Sequence, residues 1–280
     1  MRYINKYTTS GDVQTALENE TLVKPYLAYI TSEDKIDYNS QSLAPTGYTA
    51  QYLTIEIISG GTITWTNKNS VSKVISYSLD NGTTWTEWDS VDSTGINVSN
   101  GDIIFLKGDN SAYCSDSSPL MAYAYFSAST GTRFNIYGNI MSLVDSTGFA
   151  TATTLTGIYN FNKMFYLSEG VADASNLILP ATTLTEACYY QMFAGCTGLT
   201  NAPTLPAATL TTYCYRRMFS GCTSLSAITC LATDISADSC TQSWVNGVAS
   251  TGTFTKDANM TSWTSGVNGI PTGWTVVDAS

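Results

Sequence analysis

The sequence predicts an α+β chain of more than one domain: an N-terminal arm, a small antiparallel β-sandwich, and a stack of strand-and-helix repeats closed by an aromatic cap. Three observations carry that prediction. A 26-residue repeat runs through the second half of the chain. Apolar residues alternate with polar ones between turn signals in the stretch before it. The first 46 residues hold too few apolar side chains for a core of their own. A chain of 280 residues suits about two domains, and 43% hydrophobic residues is an ordinary globular content.

Residues 1–46 form the expected arm. Ser10-Gly11-Asp12 can open a short helix with Val13, Ala16 and Leu17 on one face. Pro25 and the extended Tyr26-Leu27-Ala28-Tyr29-Ile30 follow, then a polar stretch to Pro45. Such a segment docks on something else, and an anchoring role is expected of it.

Residues 47–115 read as strands. Leu53, Ile55 and Ile57 alternate with Thr54 and Glu56, and Ser59-Gly60-Gly61 turns the chain towards Ile63 and Trp65. Ile75, Tyr77 and Leu79 alternate up to Asp80-Asn81-Gly82, a strong hairpin signal. Trp85 and Trp88 follow, then a turn at Ser99-Asn100-Gly101-Asp102 and the run Ile103-Ile104-Phe105-Leu106. Short strands at this density suggest an Ig-like sandwich.

Residues 116–280 carry the repeat, over about 177–256, and the cap. Leu179-Pro180-Ala181-Thr182-Thr183-Leu184 recurs as Leu205-Pro206-Ala207-Ala208-Thr209-Leu210. Cys188 recurs at Cys214, Met192-Phe193 at Met218-Phe219, Gly195-Cys196-Thr197 at Gly221-Cys222-Thr223 and Leu199 at Leu225, always 26 residues on. The register continues, degraded, through Leu231, Cys240, Trp244, Val245 and Gly247. Met164-Phe165 precedes Met192-Phe193 by 28 residues and marks an earlier, divergent unit. Cys188, Met192 and Phe193 share one face of a helix ended by Gly195, while Leu177 and Leu179 flank Ile178 as in a strand stopped by Pro180. Neither element buries its apolar face alone, so neighbouring units stack. Trp244, Trp263 and Trp274 suit a cap.

Seven cysteines, none in a Cys-x-x-Cys pair, favour scattered core thiols over a disulfide framework. Stacked helices put Cys188, Cys214 and Cys240 about 8–10 Å apart, beyond disulfide reach.

The string Met-Phe-x-x-Cys-x-x-Leu at 192–199 and 218–225, with Leu-Pro at 205–206, resembles the BspA-type leucine-rich repeats of gut Bacteroidota and their crAss-like bacteriophages. The likeness covers about residues 160–256; two units match well, and the third has Trp244-Val245 in place of Met-Phe. The run from Phe134 to Leu143 resembles the strand-like entry to such stacks. The resemblance implies a leucine-rich-repeat-like solenoid on a surface protein that is adhesive or structural rather than enzymatic.

Composition narrows the chemistry. There is no histidine, which removes His-based catalysis and His-ligated metals. A net charge of −10 disfavours nucleic acid, and Arg216-Arg217 is too small a basic patch to reverse that. No apolar run reaches the roughly 18 residues of a membrane span. Ser78-x-Asp80-x-Gly82-x-Thr84-Trp85 fits an Asp-box, but one box and four scattered arginines read as a turn, not a sialidase. Asp80, Glu87, Asp89 and Asp92 are the carboxylates available to a glycosidase, and all lie in or beside polar turns. Asp80-Asn81-Gly82 and Asp109-Asn110 lack the ligands of a calcium site. No catalytic residue, metal ligand or cofactor is assigned.

The binding candidates are Tyr189, Tyr190, Tyr213, Tyr215, Arg216 and Arg217, because tyrosine and arginine dominate interface hot spots. At most two or three of the tyrosines are expected at the surface. The first ten residues lack the apolar run of a secretory signal. With that and the resemblance, the expectation is a virion exterior protein made in the host cytoplasm: a capsid decoration, head-fibre or tail-appendage subunit. Its arm anchors on other virion proteins and its repeats face a host glycan or protein; a homo-oligomer, with a trimer borrowed from fibre-like proteins, completes the expectation. The alternative is a bacterial cell-surface adhesin of the same repeat class, and a glycan-active enzyme comes third.

Overall fold

The computed structural model describes residues 51–92 and 94–279, together with the strands at 4–7, 27–30 and 35–38. The expected helix at Ser10–Asp12 lies outside these residues. The chain divides into compact units at 1–48 and 49–280. In the first, β1 (Ile4–Tyr7) runs parallel to β2 (Leu27–Ile30), and β3 (Lys35–Tyr38) pairs antiparallel with β2.

The second unit opens with β4 (Leu53–Ser59), β5 (Gly61–Lys68), β6 (Val74–Ser78), β7 (Thr86–Asp89), β8 (Ile96–Val98) and β9 (Ile103–Lys107). Then come β10 (Tyr123–Ala128), β11 (Arg133–Asn139), β12 (Val171–Asp173), β13 (Leu177–Ile178), β14 (Ala227–Cys230), β15 (Thr253–Lys256) and β16 (Thr275–Asp278). One sheet has the order β10-β5-β8; a larger one runs β12-β11-β4-β9-β6-β7, with β13 also paired to β11. The antiparallel strands alternate for the most part, although Thr54 of β4 is sealed in as well. Leu53, Ile55, Ile57, Ile63 and Trp65 are all sealed in the core, while Ile58 is exposed. Leu79, expected to follow the same alternation, is 56% exposed, because β6 ends at Ser78 and the chain turns away.

A boundary expected at 115 is not where the structure divides. β11, from the far side of that boundary, lies antiparallel to β4 and parallel to β12 in one sheet. One continuous buried cluster runs from Leu53 to Trp274. The end of β11 lies close against the chain entering β4, and Gly138 permits it: at φ +81°, a Cβ there would sit 2.1 Å from the Tyr52 carbonyl oxygen.

The repeats stack through parallel pairings. Asn201 bridges Ala227, β14 pairs with β15, and β15 with β16. The largest departure from expectation is that no α-helix is found among the described residues; the helical turns are 3-10, at Ile140–Leu143 and Phe149–Thr151. Among the described residues the fold is β-rich with several sheets, not α+β. Where Cys188–Gly195 was expected to be helical, Ala187, Gln191 and Gly195 have φ of +52°, +51° and +79°. Left-handed residues every fourth position break any α-helix. The N–H groups instead divide their bonds. Those of Tyr190, Met192 and Ala194 donate three residues back, to Ala187, Tyr189 and Gln191. Those of Ala187, Tyr189, Gln191, Phe193 and Gly195 donate into the next unit, to Thr212, Cys214, Arg216, Met218 and Ser220, at 2.8–3.0 Å. We call this segment a turn ladder. In the same way Tyr159–Leu167 donates into the unit at Glu186–Ala194, and Tyr213–Gly221 into that at Asp238–Asn246.

Rings stack through the ladder's interior. Phe165, Phe193 and Phe219 lie at 5.5 and 5.7 Å centroid spacing, nearly parallel, and Phe219 leads on to Trp244. Trp244 stacks flat on Trp263 at 5.6 Å and donates to the Gly269 carbonyl, while Trp274 donates to that of Ala249. All seven cysteines are free and buried. Cys196 and Cys222 each donate an S–H···O bond at 3.0 Å to the carbonyl of Phe165 and Phe193, one unit back.

Candidate functional site

The ladder sorts side chains in a four-residue rhythm. Cys188 and Tyr189 point in, as do Met192 and Phe193, and between them lie Tyr190 with Gln191 and Ala194 with Gly195. This rhythm separates the six predicted residues. Tyr189 and Tyr215 are 1% exposed and belong to the core, not to a surface. Tyr189 stacks on Phe161 at 5.7 Å, and Tyr215 continues the column to Trp244 at 6.4 Å. Burial raises both phenols well above their usual range.

The other four are treated differently. Arg216 places its guanidinium 5.0 Å from the Tyr213 ring centre and 5.9 Å from that of Tyr190. Both distances are in cation–π range, and planar guanidinium suits ring faces better than an ammonium. Tyr213 and Arg216 are half-buried, Tyr190 is more enclosed, and Arg217 is exposed in the adjoining row. The ladder's bond from Tyr213 N–H to the Asp238 carbonyl, and that from Arg217 to Gln242, fix the backbone beneath them. Among the described residues, neither arginine has a carboxylate partner, although Glu186 and Asp238 lie on neighbouring rungs.

The surface cluster is larger than the sequence suggested. Tyr159 lies 6.5 Å from Tyr190, in the divergent first unit. In that same unit, Lys163 holds its ammonium 4.2 Å over the Tyr123 ring and 5.5 Å from Tyr166, and donates to the Leu120 carbonyl at 2.6 Å. Burial lowers the Lys163 pKa and raises that of Tyr123 to about 12. The signal that reaches these residues is the 28-residue offset of Met164-Phe165. Carried to neighbouring positions, it sets Tyr159 opposite Ala187 and Lys163 opposite Gln191. All four have positive φ.

Of the four carboxylates considered for hydrolysis, Asp80 and Asp89 are occupied with local backbone and hydroxyl groups. Asp80 accepts from the Thr84 N–H and hydroxyl and from the Ser78 hydroxyl, at 2.7–2.9 Å. Those bonds, the Thr84 backbone first, hold its pKa down at about 2, the wrong direction for a general acid. Asp89 accepts from the Ser72 hydroxyl and the Val91 N–H. The Trp85 indole donates to the Gly82 carbonyl beneath the same turn. No group of three or more potential metal ligands occurs among the described residues. Among them also, no helix is long and apolar enough to cross a membrane.

No protein-family model matches the chain, and neither a curated protein nor a solved structure matches it.

Proposed function

We propose that this chain is a non-enzymatic recognition protein of a bacteriophage exterior, a capsid decoration, head-fibre or tail-appendage subunit. On this reading the antiparallel strands are an Ig-like sandwich and the stacked units a leucine-rich-repeat-like solenoid of the BspA type. The observation that carries it is the half-buried Tyr213–Arg216 pair, resting on the enclosed Tyr190: cation and aromatics together, without a carboxylate partner, at the edge of units whose interior is filled. Ring and guanidinium surfaces held on a rigid ladder lose little freedom on binding, which suits a contact surface. Residues 1–46 are the anchor to other virion proteins on this reading, and the assembly is a homo-oligomer.

The test has two arms. Mass spectrometry of purified phage particles is expected to find the chain; its absence there, with presence in a bacterial membrane fraction, favours a cell-surface adhesin instead. Tyr213→Ala with Arg216→Ala is expected to lower attachment to host cells about tenfold or more, the usual weight of a hot-spot pair. Unchanged attachment removes the cluster from the reading.

A further inference from the structure

A second candidate site lies at a different corner of the stacked units. The hairpin between β10 and β11 overhangs the bends at Leu167–Gly170, Thr197–Gly198 and Ser224, leaving an open cleft of about 440 Å³. That is within the ordinary range of small-molecule sites, roughly 300–1,000 Å³.

Its walls are fixed by close backbone packing. The Thr132 and Ser129 hydroxyls bond each other at 2.8 Å, and the Thr62 N–H donates to Ser129. The Phe134 N–H donates to the Gly170 carbonyl at 2.9 Å. At Gly170 a Cβ would meet the Thr132 carbonyl oxygen at 2.5 Å, and at Gly198 it would meet that of Glu169 at 2.6 Å. Only glycine lets these segments close on each other at those two places. A Cβ at 198 would also lie 3.8 Å from Arg133 Nη1, so the guanidinium sits over that glycine.

The other polar side chains lining the cleft are exposed to solvent and have no protein partner among the described residues. Among the described residues, the Arg133 guanidinium and the Glu169 carboxylate form no hydrogen bond or ion pair, with each other or with anything else. The hydroxyls of Thr197 and Ser224 are likewise without a partner. Leu167 adds an apolar wall and is 60% exposed.

We propose that this cleft binds an acidic sugar unit, a pyranose bearing one carboxylate. Each feature of the ligand answers one of the cleft. A planar carboxylate matches the fork of Arg133. Sugar hydroxyls donate to Glu169 and exchange bonds with Thr197 and Ser224. The C–H face of a pyranose covers Leu167. Glu169 also argues against phosphate, whose second charge it repels. The cleft is separate from the tyrosine–arginine cluster, and finding the chain on virions or on cells does not bear on it.

The experiment titrates the full chain with digalacturonate and with its neutral counterpart, a galactose disaccharide, by calorimetry. Saturable binding of digalacturonate is expected, at least about tenfold tighter than the neutral sugar, as for one charge-assisted bidentate pair. Arg133→Gln is expected to remove that preference with the melting temperature unchanged. Ser224→Trp, which fills the cleft and leaves Arg133 in place, is expected to abolish binding of both. Equal affinity for the two sugars, no digalacturonate binding at millimolar concentration, or retention of the preference in Arg133→Gln overturns the proposal. So does competition by free glycine at concentrations equal to the sugar, which makes Arg133 and Glu169 a clamp for an amino acid.

Discussion

Replacing Gln191 by glycine tests the turn ladder, because the helix suggested by the sequence predicts the opposite sign there, and Gly221→Ala measures the left-handed penalty on which the test rests. Gln191 has φ +51° and its side chain makes no hydrogen bond. A residue with a Cβ pays about 1–2 kcal/mol in the left-handed region, which glycine avoids. Glycine's freer unfolded chain takes back about 0.4–1 kcal/mol. Gln191→Gly is therefore expected to stabilise by about 0.5 kcal/mol, whereas in a helix interior it costs a similar amount. Gly221 is the cleaner site. At φ +80°, an added Cβ meets only Gly195 backbone atoms at 3.6 Å, an ordinary contact, so the backbone conformation alone sets the penalty. Gly221→Ala is expected to destabilise by about 0.5–1 kcal/mol, the same sign as at the end of a helix, and so calibrates the left-handed penalty. For a unit of this size, 1 kcal/mol moves Tm by roughly 2–4 °C. Thermal unfolding followed by near-ultraviolet circular dichroism reads both. A lower Tm for Gln191→Gly, with Gly221→Ala also lower, refutes the ladder and restores the helix.

Two further outcomes are expected. The Asp80 pKa is depressed in the fold to about 2, against about 3.9 for a free aspartate, so its contribution to stability is complete above the unfolded value and disappears as pH falls through 2. Asp80→Asn should lower Tm near neutral pH and lessen the loss between pH 4 and 2; a variant that matches the parent across that range removes Asp80 from the hairpin's support. Burial pushes the thiols of Cys188, Cys222 and Cys230 up to about 12, and all seven thiols are enclosed. Iodoacetamide at pH 8 should leave them unlabelled in the folded chain and label all of them in denaturant, read by mass spectrometry; rapid native labelling of Cys188 or Cys214 contradicts their place in the core.

The repeat was legible because stacking reuses the same side chain at the same level, so the ring column leaves its mark in the chain itself as Phe193 and Phe219, 26 residues apart. The strands at Leu53–Ile57 and Ile63–Trp65 were legible because a sheet with one buried face writes its period of two directly. The ladder was not legible. Its inward positions, 188, 189, 192, 193 and 196, repeat every four residues, and over nine residues a period of 4 cannot be told from 3.6. Only Gly195, Gly221 and Gly247 advertised a left-handed backbone; at Ala187, Gln191, Tyr213 and Arg217 side chains occupy the same conformation. For the same reason Tyr189 and Tyr190 were indistinguishable, although one ring is stacked in the core and the other lies against Arg216. The cleft escaped because Arg133, Glu169 and Ser224 come from three separate segments that meet only when the units stack.

That stacking also explains why the two halves of residues 49–280 are not independent. Trp65 packs on Phe126 at 4.6 Å, Phe126 stacks on Phe165 at 5.5 Å, and Phe165 begins the ring column of the repeats. The antiparallel strands therefore close the lower end of the repeats, and Trp244 with Trp263 closes the upper end. A repeat unit left open at either end exposes a full apolar cross-section. Two aromatic closures make a short stack self-sufficient, and they place Tyr159, Tyr190, Tyr213 and Arg216 on successive rungs whose backbones are tied above and below. A contact surface assembled from rungs in this way varies by substitution at its outward positions without disturbing the inward ones. Tyr190 and Arg216 occupy the same rung position in consecutive units, and Gln242 takes it in the next. On the proposed reading, specificity is written in that row, and exchanging Arg216 for the Gln of its neighbour should change what is bound while leaving the fold intact.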